Sequence, residues 1–158
     1  MNANLVEQKH KVGIILLVRN SEGSRLIPVF HRHARNNTGN TVNNDTWYDL
    51  VGGKRDPMPH GGGIETVEYA TLRETAEEVG VTLHMDDLKV VFSSSHTNPK
   101  TPTTVSQFIL AVCPKGQYPH NVDPAENGEL VFLRPVEAAK VLKDRISEEV
   151  RDYLLVIK

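Results

Sequence analysis

Apolar residues along the chain fall into short runs that predict β-strands. Six runs are rich in β-branched, aromatic or other apolar side chains and are bounded by polar or turn-forming residues. They cover residues 12–19, 26–30, 47–51, 88–92, 105–112 and 130–133. The turn-forming residues 20–24 predict that the first two runs pair as a hairpin. Polar or Pro- and Gly-containing segments at 36–46, 54–63 and 93–104 predict loops.

Three segments predict helices. The clearest covers residues 65–79 and ends at Gly80, a residue typical of helix C-caps. A proline suits the first turn of a helix over 135–143, and a last amphipathic helix covers 146–157. This mixture of strands and helices, with neither a repeat nor a linker, predicts one α/β domain over residues 1–158 with a mixed β-sheet.

The 65–79 helix is predicted to have two distinct faces. At about 100° per residue its apolar side chains form one stripe, which we expect to face the core. The stripe consists of Tyr69, Leu72, Ala76 and Val79. Three carboxylates, Glu74, Glu77 and Glu78, fall on the opposite face, where they repel one another unless water or a cation lies among them. A solvated acidic surface and a site for Mg²⁺, which prefers oxygen ligands, both fit these residues.

The composition indicates an ordinary globular protein. The chain has 158 residues, of which 39% are hydrophobic, with 11 Gly and a formal net charge of −2. This near-neutral balance argues against a nucleic-acid binder or a polybasic membrane module. Residues 1–55 carry eight Lys and Arg against four Asp and Glu, and the remainder carries 10 against 16. The acidic chemistry therefore lies in the later part of the chain.

The single cysteine and the first residues of the chain indicate a reducing compartment. Cys113 ends the apolar run 108–113, where we expect a buried strand thiol rather than a nucleophile, and no intrachain disulfide can form. The first residues carry no signal-peptide pattern, and the apolar run 12–18 is too short to span a bilayer. We therefore expect a cytoplasmic protein.

The spacing of charged residues in the 65–79 helix resembles a known signature. The helix carries the pattern Arg73-Glu74-x-x-Glu77-Glu78-x-Gly80-Val81. Seven residues separate Glu65 from Arg73, and Gly52 and Gly53 follow the predicted strand that contains Trp47. This arrangement resembles the Nudix hydrolase family in its MutT-like form, whose signature reads Gly, five residues, Glu, seven residues, then Arg-Glu-aliphatic-x-Glu-Glu-x-Gly-aliphatic. The resemblance implies a Nudix-type α/β/α sandwich.

Two positions depart from that signature. Pro59 stands where the leading Gly is expected, so Gly53 is the counterpart and the loop Lys54–Gly63 is about six residues longer than usual. Thr75 replaces the aliphatic residue that follows Arg-Glu. The longer loop either changes metal coordination by backbone carbonyls near Gly53 or forms a substrate-specific lid beside an unchanged helix. The second interpretation is favoured because every charged position of the helix motif is present.

The resemblance implies hydrolysis of a diphosphate linkage with Mg²⁺ or Mn²⁺ as the cofactor. It assigns metal binding to a set of oxygen donors: Glu74, Glu77, Glu78 and a backbone carbonyl of Gly53 or Gly52. Glu74 would also take a proton from the attacking water, Arg73 would orient a glutamate, and Glu65 would tune the geometry of the loop and helix. Water would attack phosphorus while the metal stabilises charge on the leaving phosphate.

The residues that would complete the site and recognise the substrate are less distinct. Many family members use a further acid from a downstream loop, and Glu126 and Glu129 both precede the strand 130–133. The candidates for substrate contact are Arg32, Arg35, Trp47 and Lys100. The two arginines are equally well explained as solvated side chains, and for Trp47 a place in the core is favoured.

These expectations leave competing functions open. The first is a metal-dependent pyrophosphohydrolase acting on a nucleoside triphosphate, dinucleoside polyphosphate, ADP-ribose or nucleotide sugar. The second is a catalytically inactive Nudix-like module that binds a nucleotide, suggested by Pro59 and the longer loop. The third, an isoprenoid-diphosphate isomerase, lacks a cysteine near the site. The expected partner is a small nucleotide, not nucleic acid or a membrane, and a homodimer is left open.

Overall fold

The structure, a computed structural model, describes residues 8–35 and 41–157, with only the backbone described for Arg35 and residues 41–44. The strands are β1 (Lys9–Arg19), β2 (Arg25–Arg35), β3 (Thr41–Lys54), β4 (Leu88–Val91), β5 (His96–Thr97), β6 (Thr104–Val112) and β7 (Glu129–Leu133). The α-helices are α1 (Val67–Val79), α2 (Pro124–Asn127), α3 (Pro135–Leu142) and α4 (Glu148–Val156). No helix in these ranges is long and apolar enough to cross a membrane.

The strands form one mixed sheet. Their order is β4-β6-β1-β3-β2-β7, and β5 pairs with β6. β1 and β6 run parallel over nine paired positions, whereas the other pairs are antiparallel. The predicted α/β fold with a mixed sheet is confirmed.

Helices cover both faces of the sheet, and β1 lies between two apolar cores. Successive side chains of a strand point to opposite faces, so an uninterrupted apolar run indicates burial on both sides. Ile14 and Leu16 pack with α1, while Ile15 and Leu17 pack with α3 and α4. Val12 to Val18 are accordingly all buried.

Strand β3 begins earlier in the chain than the sequence predicts. The segment 36–46 was predicted to be a loop, but residues 41–46 belong to β3, and residues 36–40 lie outside the described part of the chain. The ladder continues through Arg32 opposite Trp47 and His33 opposite Thr46. Backbone hydrogen bonds form such a ladder whatever the side chains are. The polar residues 41–46 therefore pair as a strand although these residue types are typical of a loop.

The predicted boundaries and faces of α1 need correction. The helix begins at Val67, not at Glu65, because the Thr66 side chain accepts a hydrogen bond from the Tyr69 N–H and caps it. The predicted core stripe holds for two of its four residues: Val79 is buried and Leu72 packs against the core, but Tyr69 is 52% exposed and Ala76 is exposed as well. The buried positions are Val67, Ala70, Thr71, Glu74, Thr75 and Val79. Helical periodicity failed here because a carboxylate side chain, Glu74, lies on the inward face.

The other predicted elements need smaller changes. Gly80 ends α1 in the left-handed conformation, with φ 69°, as predicted. Cys113 lies one residue beyond β6 rather than within the strand, and it is half-buried, with burial raising the pKa of its thiol. The predicted loop 93–104 contains the short strand β5, and the loop after β3 contains a 3₁₀ turn at Pro59–Gly61.

Candidate active site

Two glutamates of α1 turn inward against the end of β3. Glu74 and Glu78 stand one helical turn apart, and Glu74 is only 8% exposed. The Gly52 N–H donates a 2.7 Å hydrogen bond to Glu78 Oε1. A Cβ placed on Gly53 would lie 2.6 Å from Glu74 Oε1, so this carboxylate occupies space that exists because position 53 has no side chain. The helix and the two glycines together form a small acidic niche.

Burial dominates the electrostatics of this niche. It raises the pKa of Glu74 and raises the pKa of Glu78 to about 7, in spite of the hydrogen bond from Gly52. The negative charge of Glu74 adds to the rise at Glu78. Two carboxylates that resist ionisation in a protein are stabilised when a cation joins them. The niche therefore favours a bound positive charge.

Arg73 connects three glutamates to the loop before the helix. Its Nε and Nη2 donate to the two carboxylate oxygens of Glu65 at 2.8 and 2.7 Å, a bidentate pair that lowers the pKa of Glu65. Nη1 lies 3.1 Å from both Glu74 Oε1 and Glu77 Oε2, and Nη2 donates to the Lys54 carbonyl at 2.9 Å. Arg73 thus ties α1 to the end of β3 and to buried Glu65.

The two ends of the longer loop are joined to each other at Asp56 and Glu65, beside this network. The Asp56 N–H donates to Glu65 Oε1 at 2.7 Å, and the Glu65 N–H donates to the Asp56 carbonyl at 2.8 Å. Pro57 forms an isolated β-bridge with Ile64, and residues 58–63 are exposed beyond that bridge. The extra residues therefore project from a closed base, which keeps Glu65 within reach of Arg73.

A second network lies on the other side of Glu78. Arg32 Nη2 lies 3.6 Å from Glu78 Oε2, and Arg32 Nε lies 3.1 Å from Asp49 Oδ2. Asp49 also accepts hydrogen bonds from Trp47 Nε1 at 2.9 Å and from Arg145 Nη1 at 3.3 Å. Asp49 and Arg145 could not be predicted as a pair from the sequence, because no motif connects two residues 96 positions apart.

The remaining predicted residues take different positions. Glu77 is bound to Arg73, with 57% of its side chain exposed. The side chains of Glu126 and Glu129 are exposed, and the Glu126 carbonyl lies 3.5 Å from Arg32 Nη1. Lys100 and Trp47 line the same cavity, which Arg145 also lines.

One predicted contact cannot be placed. The Arg35 side chain lies outside the described residues. Its backbone pairs with Thr41 in the β2–β3 ladder.

The donor atoms of the niche suit a hard divalent cation. Among residues 8–35 and 41–157, no three His, Cys, Asp or Glu side chains converge as a preformed metal cluster. Glu74 nonetheless offers buried carboxylate oxygens, and Glu78 half-buried ones, beside the backbone of Gly52 and Gly53, which carry no side chains. Mg²⁺ and Mn²⁺ prefer such oxygen donors and are commonly held by one or two carboxylates together with substrate phosphates.

A comparison with protein families decides the classification. The family model of the NUDIX domain matches residues 9–154. The chain belongs to the Nudix family. Nudix hydrolases are in general acid-anhydride hydrolases that act on small nucleotide derivatives. The match confirms the resemblance drawn from Glu65 and the α1 motif.

Solved structures of Nudix proteins share this fold. A MutT NUDIX hydrolase from Burkholderia pseudomallei superposes with a TM-score of 0.58 at 22% identity, covering 97% of this chain and 100% of that one. An Ap4A hydrolase from C. elegans gives a TM-score of 0.59 at 16% identity, with 93% of each chain covered. A MutT/nudix family protein from Enterococcus faecalis gives 0.58 at 20% identity, covering 84% of this chain but 46% of that longer one. A search of curated proteins found no match.

Proposed function

We propose that this Nudix protein is a divalent-metal-dependent pyrophosphohydrolase that cleaves the diphosphate linkage of a nucleotide derivative. The observation that carries the proposal is the pair of inward carboxylates, Glu74 and Glu78, packed against Gly52 and Gly53. Burial raises the pKa of both carboxyls because little solvent reaches them. A bound cation would stabilise their ionised forms in place of water.

We assign the metal to Glu74 and Glu78, with the Gly53 backbone carbonyl and Glu77 completing the protein donors. Glu77 would have to leave Arg73, which holds it at 3.1 Å. When bound, Mg²⁺ or Mn²⁺ supplies positive charge for the phosphates and lowers the pKa of a coordinated water.

The chain's own residues then position the reaction. Glu74 accepts a proton from the attacking water, whose oxygen forms a bond to phosphorus while the anhydride P–O bond breaks. The leaving phosphate keeps the electron pair of that bond. Arg73 holds Glu74 in place through its contact with Oε1, and Glu65 orients Arg73 through the bidentate pair.

We propose Glu126 as the additional acid because its backbone lies beside Arg32, although its carboxylate is exposed. Its carbonyl lies 3.5 Å from Arg32 Nη1, and the same guanidinium reaches Glu78. Glu129 pairs with His31 on the neighbouring strand. A small nucleotide remains the proposed partner, and nucleoside triphosphates, dinucleoside polyphosphates, ADP-ribose and nucleotide sugars are the substrate classes to test.

The test is a substrate panel with Mg²⁺ or Mn²⁺, read out by the masses of the products. We expect metal-dependent turnover of at least one nucleotide. Glu78→Gln should lower kcat on the order of 10²-fold or more because it replaces a charged oxygen ligand of the metal with a neutral amide. Glu68→Gln makes the same chemical change in the first turn of the same helix and should leave kcat unchanged.

Two results would contradict the proposal. One is no turnover of any nucleotide in the panel with either metal. The other is nucleotide binding whose affinity is the same without metal and unaccompanied by hydrolysis, which would instead favour the inactive binding module.

A further inference from the structure

A cavity of about 290 Å³ is lined by cationic side chains and shares Arg145 with the small cleft at Gly52 and Gly53. We call it the basic cavity. Its charged and aromatic lining consists of Trp47, Tyr48, Lys100, Lys140, Lys143 and Arg145, with Asp144 as the single acid. The cations come from three separate parts of the chain: the loop after β5, helix α3 and the turn that follows it. The fold alone brings them together.

The three lysines of the basic cavity are not paired with acids within the described ranges 8–35 and 41–157. In the part of the chain that the structure describes, no ion pair joins Lys100, Lys140 or Lys143 to a carboxylate. Like charges that converge on one space repel one another, and an anion that enters the space removes this repulsion. The cavity is therefore complementary to an anionic ligand.

The backbone of the cavity wall is held in an uncommon conformation. Lys143 has φ 50°, a region that residues other than glycine rarely adopt. Arg151 donates a hydrogen bond to the Lys143 carbonyl, and the His96 ring contacts the Asp144 carbonyl. Such strain persists where surrounding contacts over-determine it, and it concentrates at functional sites. These contacts hold the turn that carries Lys143 and Arg145 against the sheet.

Arg145 connects the basic cavity to the acidic niche. Its guanidinium lies 5.2 Å from the centre of the Trp47 ring, and its Nη1 lies 3.3 Å from Asp49 Oδ1. Arg145 also lines the small cleft formed with Gly52 and Gly53. A ligand whose diphosphate lies at the niche can thus extend past Arg145 into the basic cavity.

We infer that the basic cavity binds a phosphate group of the substrate beyond the scissile diphosphate. This inference rests on the proposed pyrophosphohydrolase function and narrows its substrate class. Substrates with three or more phosphates in a row, such as a nucleoside triphosphate or a dinucleoside polyphosphate, place an additional anion there. ADP-ribose and nucleotide sugars, with two phosphates, do not. Lys100, Lys140 and Lys143 are then specificity-determining residues.

The experiment compares kcat/KM for ADP-ribose, ATP and diadenosine tetraphosphate, which carry two, three and four phosphates. The variants are Lys140→Gln combined with Lys143→Gln, and Lys100→Gln alone. We expect Lys100→Gln to lower kcat/KM for ATP and the tetraphosphate about tenfold, and the double variant to lower it about tenfold or more, because each lost cation removes a charge-assisted contact. The kcat/KM for ADP-ribose should stay nearly unchanged in both. The matched control, Lys89→Gln combined with Lys115→Gln, changes the net charge equally on exposed positions elsewhere and should alter neither value.

A binding measurement keeps the inference testable even without turnover. Calorimetry should show that inorganic tripolyphosphate binds the wild-type protein about tenfold more tightly than the Lys140/Lys143 double variant, with pyrophosphate binding both equally. The inference would be overturned if the lysine variants lowered kcat/KM equally for all three substrates or for none of them. It would also be overturned if wild-type protein and the double variant bound tripolyphosphate with the same affinity. If the protein turns over nucleotides but these lysines have no effect, only the inference about the basic cavity is wrong. If no nucleotide in the panel is turned over, the proposed function itself is wrong.

Discussion

Gly53 provides the space that the Glu74 carboxylate occupies in the acidic niche. Glu74 is the one acidic residue among the buried positions of α1. Its side chain fits there because the facing residue, Gly53, carries no side chain. The neighbouring Gly52 adds an N–H donor for Glu78 at 2.7 Å. The two glycines thus supply both the space and one of the hydrogen bonds that inward glutamates need.

Gly53→Ala is therefore expected to impair activity without unfolding the protein. The new methyl group would stand 2.6 Å from Glu74 Oε1, and the far end of this flexible side chain can move away at little cost in stability. The displaced carboxylate should lower kcat on the order of 10²-fold, because small misplacements of reacting groups have effects of this size. Enzyme assays and thermal melts measure the two effects.

Gly62→Ala is the matched control in the exposed loop. A Cβ at Gly62 would meet only ordinary contacts, the nearest at 3.6 Å, so activity and melting temperature should both be retained. A Gly53→Ala enzyme with full activity would show that Glu74 does not need its inward position.

At the scale of elements, α4 is fastened to the segment after β4 by one carboxylate. Glu149 accepts hydrogen bonds from the Ser94 N–H at 2.8 Å, the Ser94 hydroxyl at 2.8 Å and the Ser93 hydroxyl at 3.0 Å. The hydroxyl of Ser147, the N-cap of α4, lies 2.9 Å from the Ser94 hydroxyl. The first turn of α4 and residues 93–94 therefore form a joint, just before the strand whose His96 supports the basic cavity.

The joint predicts a pH dependence of stability. Hydrogen bonds from Ser94 hold the pKa of Glu149 below its usual value of 4.5. Because the folded-state pKa is the lower one, the stabilisation is fully present above the unfolded pKa and is lost as the pH falls through the folded-state pKa. The wild-type protein should thus exceed Glu149→Gln in melting temperature at pH 7, and the difference should shrink below about pH 4.5.

Melting curves of both proteins between pH 7 and about pH 3 check this prediction. Glu148→Gln, at the adjacent exposed position, is the control and should follow the wild-type curve at every pH. A Glu149→Gln difference that stayed constant with pH would mean that the carboxylate's ionisation does not contribute.

At the scale of the whole molecule, the acidic niche lies where α1 packs on a sheet that is otherwise filled with apolar side chains. Two separate cores cover the faces of the sheet, and both draw on alternate residues of β1. The charged residues of the niche are buried as a consequence of this packing, and their mutual repulsion opposes folding. A cation that binds the niche should therefore stabilise the entire domain.

Mg²⁺ is expected to raise the melting temperature. At a concentration about 100 times its Kd, a ligand that binds only the folded state contributes about 2.7 kcal/mol, or roughly 5–10 °C for a domain of this size. Glu78→Gln should lose most of the rise, whereas Glu68→Gln should retain it. Thermal melts with and without the metal provide the measurement, and an equal rise in the Glu78→Gln variant would place the metal elsewhere.

Much of the fold and part of the site follow from local sequence patterns. The β1 run predicted a strand, and in the structure its uninterrupted apolar residues are buried on both faces of the sheet. Gly80 marked the end of α1 because its left-handed backbone favours glycine. The spacing of Glu65, Arg73 and Glu78 predicted the Nudix family, since the pattern lies within one helix and the loop before it.

Other features depend on contacts between distant parts of the chain. The strand at 41–46 was missed because backbone pairing with β2, not its own side chains, makes it a strand. The inward direction of Glu74 was missed because periodicity assigns carboxylates to solvent, and the glycines that reverse this lie on β3.

The sequence by itself determined the family, the order of the main elements and which acidic residues are candidates for the chemistry, because these are encoded at short spacing. Only the tertiary structure decided which carboxylates are buried and which cations meet. Asp49 and Arg145 are 96 positions apart and touch at 3.3 Å, and Lys100 joins Lys140 in one cavity. Such pairings depend on how the sheet and its helices pack, and no local pattern records them.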